Sequence, residues 1–458
     1  MAQQFQAEQR TLAERKKEGR TLREKVSRKA HADYQPPSPR PDPVAILEEQ
    51  GQSRIQELLP IRYARMLASP FAFLRGAAAI MASDLAPGPT TGIRVQVCGD
   101  MHIYNFGVFG SAERNLVFGI SDFDETVPGP WEWDLKRLAA SAVVAGRFLG
   151  ASASTCEDAA RAVVRTYRER LREYSEMGHL EVWYSRLDEK AVMQVLSPRM
   201  RKSAAKIIDK AREHTNLQVL HKMTDLVDDE LHIREEAPFI VRETHVRNGM
   251  PVQQALEAFL RQYVPSLAED RRQLFARYRI IDIARKVVGV GSVGLDCWIL
   301  FLQGNNERDP LFLQVKQAQP SVLESHGYPS LHSNHGQRVV AGQRLIQGAP
   351  DIFLGWGELE GGHFYVRQLR DMKGSAEFTP GTADLAVFVE YCGLCGWGLA
   401  QGHAKSGDAA LLSGYMGKSE MLDAAIARFA VAYADQTERD FEALAAAAKN
   451  GRIPVAKE

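Results

Sequence analysis

Residues 98–138, CGDMHIYNFGVFGSAERNLVFGISDFDETVPGPWEWDLKRL, decide how the rest of the chain is read. Four polar residues stand out against an apolar background: Asp100, Asn105, Asp122 and Asp134. Val95-Gln96-Val97 reads as a short strand that Gly99-Asp100 breaks into a loop, and Asn105 comes five positions later. A second apolar run, Leu116–Ile120, reads as another strand that ends at Ser121-Asp122-Phe123-Asp124. A carboxylate and a carboxamide thus leave one strand end, and two carboxylates leave the next. Oxygen ligands converging in this way suit Mg²⁺, which takes one or two carboxylates together with waters and substrate phosphates. Asp and Asn also serve plain turns, because their side chains hydrogen-bond nearby backbone. The combination of GD-x-x-x-x-N, a hydrophobic strand and D-F-D goes beyond a single turn residue.

This arrangement resembles the catalytic segment of the protein-kinase-like superfamily, in particular its aminoglycoside and small-molecule phosphotransferase branch. The resemblance implies Asp100 as catalytic base, Asn105 as a metal ligand, and Asp122 as the main Mg²⁺-binding carboxylate, with Asp124 assisting. Phosphoryl transfer needs these types: a carboxylate to orient the attacking hydroxyl, and oxygen ligands to hold the metal on the phosphates. Asp134, in WEWDLKRL, matches a structural Asp that braces the catalytic loop. His102 either assists proton transfer or is a loop histidine bonded to backbone. The departures are Cys98, where a His often sits, and Asp124, where protein kinases carry Gly. Taken together, GDMHIYNFG, SDFDET, PWEWDLKRLAAS, LQVKQA, RVVAGQR and GHAKSGD resemble the bacterial domain-of-unknown-function family 2252, over most of residues 20–445.

The second informative stretch is 285–318, RKVVGVGSVGLDCWILFLQGNNERDPLFLQVKQA. Gly289, Gly291 and Gly294 spell G-x-G-x-x-G, the dinucleotide fingerprint, which requires a helix after the third glycine. The residues after Gly294 are instead β-rich: Trp298–Leu302, turn residues Gly304-Asn305-Asn306, then Leu311–Val315. That is a hairpin, and a P-loop fails because no GK[ST] is present after the glycines. A glycine-rich turn between strands, then a strand ending in Lys316, resembles the nucleotide-covering loop and phosphate-pairing Lys of the kinase-like fold. There Gly289, Gly291, Ser292 and Gly294 would cover ATP, Lys316 would pair with its phosphates, and the inter-lobe hinge would fall at Gln368-Leu369, with Gln368 contacting the nucleotide. The kinase-like Lys usually pairs with a helical Glu. The helix at 336–347 has none, and Glu324 is the nearest candidate.

In ordinary kinase-like enzymes the glycine-rich half precedes the catalytic loop, whereas here Asp100 comes well before Gly289. The expected fold is therefore α+β, kinase-like and two-lobed, circularly permuted and carrying extra helices. Its expected parts are a basic tail and Pro-rich linker (1–43), a helical large lobe (44–280), a small β lobe (281–370) and C-terminal helices (371–450) completing the large lobe. Permutation is tolerated where the joined termini lie close together on the surface.

With 458 residues, 45% hydrophobic and 25% charged, the chain has ample material for such a core. A formal net charge of zero gives no argument for nucleic acid or an anionic membrane as partner. Five cysteines argue for a reducing compartment, and Cys392-x-x-Cys395, with no second pair, reads as helix packing rather than zinc. No secretory signal and no spanning run is visible, so the expected location is cytoplasmic. Residues 1–33 carry nine Lys/Arg against four Glu and read as a solvated, partly helical tail, the alternative being a nucleic-acid arm. Arg62, Arg65 and Arg75, on helices before the catalytic segment, either reach phosphates or face solvent. Ser154-Thr155-Cys156-Glu157 has capping-box spacing and starts a helix. Residues 151–235 form either a substrate-facing cap or scaffold. His403, at a helix end, is either a catalytic group or satisfied by backbone.

The leading expectation is an ATP- and Mg²⁺-dependent phosphotransferase acting on a hydroxyl of a small molecule or protein. Nucleotidyl transfer and a nucleotide-binding pseudokinase are the alternatives, and a dinucleotide oxidoreductase ranks third.

Overall fold

The computed structural model describes residues 10–34, 36–213, 215–228, 230–246, 249–369 and 372–456. The first nine residues of the tail, the expected boundary at 370/371 and the last two residues lie outside the described residues.

The chain opens with α1 (Leu12–Lys25), α2 (Pro43–Gln52), α3 (Leu59–Met66), α4 (Pro70–Gly76) and α5 (Ala78–Leu85). The tail is not merely solvated. Arg23 donates to the carbonyls of Gly414 and Tyr415, and Arg28 to that of Met416, so basic side chains satisfy the last carbonyls of a later helix. The central segment comes next as β1 (Arg94–Val97), β2 (Phe106–Gly110), β3 (Leu116–Ile120) and β4 (Val127–Pro130), then α6 (Trp131–Phe148) and α7 (Ala153–Tyr174). Strands β2 and β3 form a hairpin, and β1 pairs with β4. Every residue of α6 from Trp131 to Gly146 is buried, so this helix is enclosed on all sides rather than along one stripe. The cap of α7 is Ser152, which accepts from the Thr155 N–H, two residues earlier than the capping-box spacing suggests.

Elements α8 (His179–Tyr184), β5 (Leu187–Asp188), α9 (Glu189–Val195), α10 (Pro198–Glu213), α11 (Asn216–Met223), β6 (Thr224–Val227) and β7 (Glu230–Ile233) lead to the main sheet. That sheet begins with β8 (Ile240–Val241) and, after α12 (Val252–Ser266) and α13 (Glu269–Phe275), continues with β9 (Arg279–Lys286), β10 (Cys297–Gln303) and β11 (Pro310–Ala318). After α14 (His335–Ile346) come β12 (Gly355–Leu359) and β13 (Gly362–Gln368). The spatial order is β12-β13-β11-β10-β9-β8, with every pairing antiparallel. Leu300, Leu302, Leu311, Leu313 and Val366 pack against Phe259, Tyr263 and Phe275 of α12 and α13. On the other face, Ile299, Phe301 and Phe312 meet Val219, Leu220 and Met223 of α11. Cover on both faces explains why β10 and β11 read as unbroken apolar runs. The sheet unit therefore starts near residue 240 and includes α12 and α13, earlier than the expected boundary at 281.

Helices α15 (Leu385–Ser406), α16 (Ala409–Met416) and α17 (Met421–Lys449) complete a mixed α+β fold whose largest core joins α6, α7, α15 and α17. Cys392 and Cys395 are buried free thiols inside α15. A Cβ added at Gly396 would stand 2.2 Å from the Val163 carbonyl oxygen of α7, so that glycine sets the helix spacing. No helix of the described residues is long and apolar enough to cross a membrane. Gly396→Ala should force α7 and α15 apart and cost about 1–3 kcal/mol. Urea denaturation would read this as a lower midpoint at unchanged slope, and an unchanged midpoint would contradict the packing account.

Candidate functional site

The loop after β1 carries Asp100, and one turn of α6 positions it. Asp134 accepts the backbone N–H groups of Cys98 (2.6 Å) and Gly99 (2.9 Å). One turn further on, Arg137 donates through Nε (2.9 Å) and Nη2 to Asp100 Oδ1. Residues three apart on a helix share a face, so Asp134 and Arg137 together hold three consecutive loop residues. Both Arg137 donors use Oδ1, and Oδ2 of Asp100 accepts no hydrogen bond among the described residues. Burial raises the Asp100 pKa above the usual carboxylate range, with Arg137 and Arg75 opposing it. Behind Asp134, His403 Nε2 lies 3.3 Å from Oδ2, and its Nδ1 lies 2.8 Å from the Tyr167 hydroxyl. His403 is therefore part of the buried brace, not of a cleft.

Asn105 donates from its amide nitrogen to the Asp100 carbonyl (2.6 Å), which leaves Oδ1 as its free oxygen donor. Its own carbonyl accepts the Ser121 N–H (2.8 Å), tying it to the strand end from which Asp122 departs. His102 is buried. Desolvation, with Arg75 and Arg137 adding to it, lowers its pKa well below the usual imidazole value.

The opposite wall comes from the sheet. Side chains alternate along a strand, so Gln314 and Lys316 of β11 share one face with Tyr365 and Arg367 of β13, directly across in the register. Lys316 Nζ pairs with Asp124 Oδ2, the Ser292 hydroxyl reaches the same oxygen at 3.2 Å, and the Tyr365 hydroxyl donates to Oδ1 at 2.7 Å. Burial alone would raise the Asp124 pKa, but Lys316 and Tyr365 bring it down to about 2. Arg367 donates to the Ser121 carbonyl (3.1 Å) and to Gln314 (3.1 Å). The structure thus brings Lys316, Ser292, Asp124 and the Asp122 loop together. Both oxygens of Asp124, expected to assist a metal, carry hydrogen bonds from Lys316, Ser292 and Tyr365. The partner of Lys316 is Asp124 rather than Glu324, which instead accepts the Ser321 N–H and lies 3.7 Å from Arg338.

The glycine-rich segment runs between β9 and β10 as a loop containing a short 3-10 turn at Val290–Ser292. Gly294 sits at φ +90° with a would-be Cβ 2.9 Å from Arg54, a position only glycine fills, while nothing crowds Gly289. The helix that a dinucleotide fold needs after Gly294 is absent, because strand β10 stands there. Beneath the loop, a cavity of about 510 Å³ is lined by Lys286–Gly289, Ser121, Gln314, Arg367 and Gln368-Leu369. Gln368 borders this cavity, but its backbone and side-chain amides both go to Asp351.

Sequence reading passed over Arg137, Tyr365 and Arg367. The first is signalled by its spacing from Asp134, and the other two by alternation in FYVRQ facing LQVKQ. Of the three early arginines, Arg62 is buried and bonds Gln50 and the Gly76 carbonyl, and Arg65 bonds the Val288 carbonyl. Arg75 lies over the Tyr104 ring.

Lys316→Met would leave Asp124 buried without its cation. In the wild type the depressed pKa contributes stability that is complete above 3.8 and lost as pH falls towards 2. In the variant burial dominates, the carboxyl pKa rises, and stability falls as pH rises. The stability gap between the two, from urea denaturation at pH 3 to 7, should widen with pH towards about 3 kcal/mol. A gap independent of pH would show that the pair does not couple.

Residues 54–447 match the family described as "Uncharacterized protein conserved in bacteria (DUF2252)". No curated protein and no solved structure matches the chain. The match spans far more than half of the 458 residues, and the chain belongs to this bacterial family.

Proposed function

We propose that the chain is an ATP- and Mg²⁺-dependent phosphotransferase with a permuted kinase-like arrangement, acting on a hydroxyl acceptor. The observation that carries this reading is the contact of Asp124 with Lys316 and with Ser292 of the glycine-rich loop, while the Asn105 carbonyl holds the Ser121 N–H next to Asp122. The cavity between Lys286–Gly289 and Gln368-Leu369 then takes the nucleotide base, and the loop covers the phosphates.

The donor set fits Mg²⁺. The Asn105 carboxamide oxygen and the Asp122 carboxylate are hard oxygen donors at adjoining loop ends. Among the described residues no group of three or more His, Cys, Asp or Glu could hold an ion, and Mg²⁺ itself favours few protein ligands completed by phosphates and water. When bound, the ion would neutralise charge on the transferring phosphates. Asp100 orients the acceptor hydroxyl through the open Oδ2, as a carboxylate made more basic by burial. Arg137 fixes that carboxylate in place, and Lys316 supplies positive charge from the opposite wall.

Chain order is consistent with permutation. The end of α15, which comes after the sheet in sequence, abuts β1, which leads into the Asp100 loop. The Gln96 N–H donates to the Ser406 hydroxyl at 3.1 Å, and a Cβ on Gly407 would meet Val95 at 2.6 Å. Succession in space is kept while the covalent join lies elsewhere. The open Oδ2 on Asp100 favours transfer over binding alone, since a pure binder needs no base.

Calorimetry of ATP with and without Mg²⁺ tests the reading. Wild type should bind in a metal-dependent manner, and Asp122→Ala should lose at least about tenfold in affinity while remaining folded. No binding by folded wild type overturns the proposal.

A further inference from the structure

Five arginines lie on the segments around the Asp100 loop and the glycine-rich loop, and four have acceptors for some of their donors, although Arg54 Nε and Arg62 Nε and Nη1 are also buried without one. Arg54 donates to the Val293 carbonyl, Arg62 to Gln50 and the Gly76 carbonyl, Arg65 to the Val288 carbonyl, and Arg137 to Asp100 and the Leu74 carbonyl. Arg75 makes no hydrogen bond or ion pair among the described residues. Its Nε is buried without a partner, and its guanidinium stands over the Tyr104 ring at 5.6 Å from the centroid. An arginine has five N–H donors in a planar fork; here Nε is buried without a partner, and the outer N–H groups stay accessible to a ligand.

Where Arg75 stands is well defined. Tyr104 belongs to the loop between Asp100 and Asn105. The residue before Arg75, Leu74, shares Arg137 with Asp100 through a 2.7 Å hydrogen bond, so the end of α4 is tied to the same cation as the candidate base. The Arg75 carbonyl lies 3.6 Å from the position of a Cβ on Gly291, so α4 also touches the glycine-rich loop. Positive charge from Arg75 reaches Asp100, His102 and Tyr104, and opposes the rise that burial imposes on the Asp100 carboxyl. A cation beside the base, under the glycine-rich loop and without a protein acceptor, has the chemistry of an oxyanion site.

We infer that Arg75 is an oxyanion site for the transferring phosphoryl group, a cis-acting arginine supplied by α4 between the Asp100 loop and the glycine-rich loop. This rests on the phosphotransferase reading. In the step, the acceptor oxygen forms a bond to the γ-phosphorus, the bond from that phosphorus to the β-bridging oxygen breaks, and ADP leaves with that electron pair. The acceptor proton passes to Asp100 Oδ2. The equatorial oxygens keep their charge throughout, and Arg75 meets one or two of them as a fork.

The test uses the full chain and two probes, Mg·ADP alone and Mg·ADP with aluminium fluoride, a planar mimic of the transferring group. Wild type should bind the second at least about a hundredfold more tightly than the first. Arg75→Ala should bind Mg·ADP within about twofold of wild type yet lose at least about tenfold of that tightening. Arg75→Lys keeps charge without the fork and should recover less than half of the loss on a logarithmic scale. Thermal midpoints of both variants close to that of wild type show that the fold is intact. Full tightening in Arg75→Ala overturns the inference and returns Arg75 to a packing role. Mg·ADP binding by wild type with no fluoride enhancement overturns it too, and leaves the nucleotide site standing. Absence of Mg·ADP binding by wild type overturns the phosphotransferase reading and this inference with it.

Discussion

One turn of α6 is the constraint on which the rest of the site depends. Asp134 and Arg137 are buried, and together they grip Cys98, Gly99 and Asp100. Buried charges are tolerated only when fully bonded. The bonding here runs outward from Asp134 to His403 on α15 and from His403 to Tyr167 on α7. Those two helices stay close because Gly396 admits the Val163 carbonyl. Helix spacing, imidazole position and loop geometry are thus one system. A change in the core far from Asp100 reaches it through three hydrogen-bonded side chains.

The sheet contributes by register. Lys316 opposes Tyr365 and Gln314 opposes Arg367, so two cations and a hydroxyl share the cleft face while Leu313, Val315 and Val366 turn towards α12 and α13. A slip of one residue would reverse the two sets, and the apolar set forbids it because its burial fixes the strand. Asp124 then bridges the halves by taking Lys316, Tyr365 and Ser292 at once. Contacts of this kind are short and little screened by salt, so the distance between the glycine-rich loop and the Asp122 loop is set electrostatically.

Whether a feature can be read from the sequence depends on the range of the interaction behind it. The segment 98–138 is legible because its polar residues interrupt apolar runs at strand ends. The hairpin after Gly294 is legible because β-branched and aromatic residues leave no helical period. The partner of Lys316 is not legible, because it lies 192 residues away in the chain and no local pattern points to it. The role of Asp124 is hidden for the same reason, since D-F-D shows two carboxylates but not which face each one takes. Strands β2 and β4 are short and carry Gly and Pro, which weakens their signal. The α7 cap is ambiguous because Ser152, Ser154 and Thr155 all compete within four residues. Arg23 and Arg28 read as a charged, solvated tail until α16 supplies carbonyls for them.

The N-terminal helices matter because the Asp100 loop and the glycine-rich loop lie nearly two hundred residues apart in the chain. Something must fix one against the other before a ligand arrives. The strap is residues 54–65. Arg54 takes the Val293 carbonyl, the Ile55 N–H takes that of Gly294 at 2.8 Å, and Arg65 takes that of Val288. Each bond contributes on the order of 1 kcal/mol, and together they hold the outer edge of the loop while Gly289 stays open to the cavity. A loop ordered in advance loses less entropy when it closes on a ligand. The same strap carries on into α4, so the segment that steadies the glycine-rich loop also delivers Arg75 to the Asp100 loop. Loop order and the placement of that cation are therefore consequences of a single N-terminal segment.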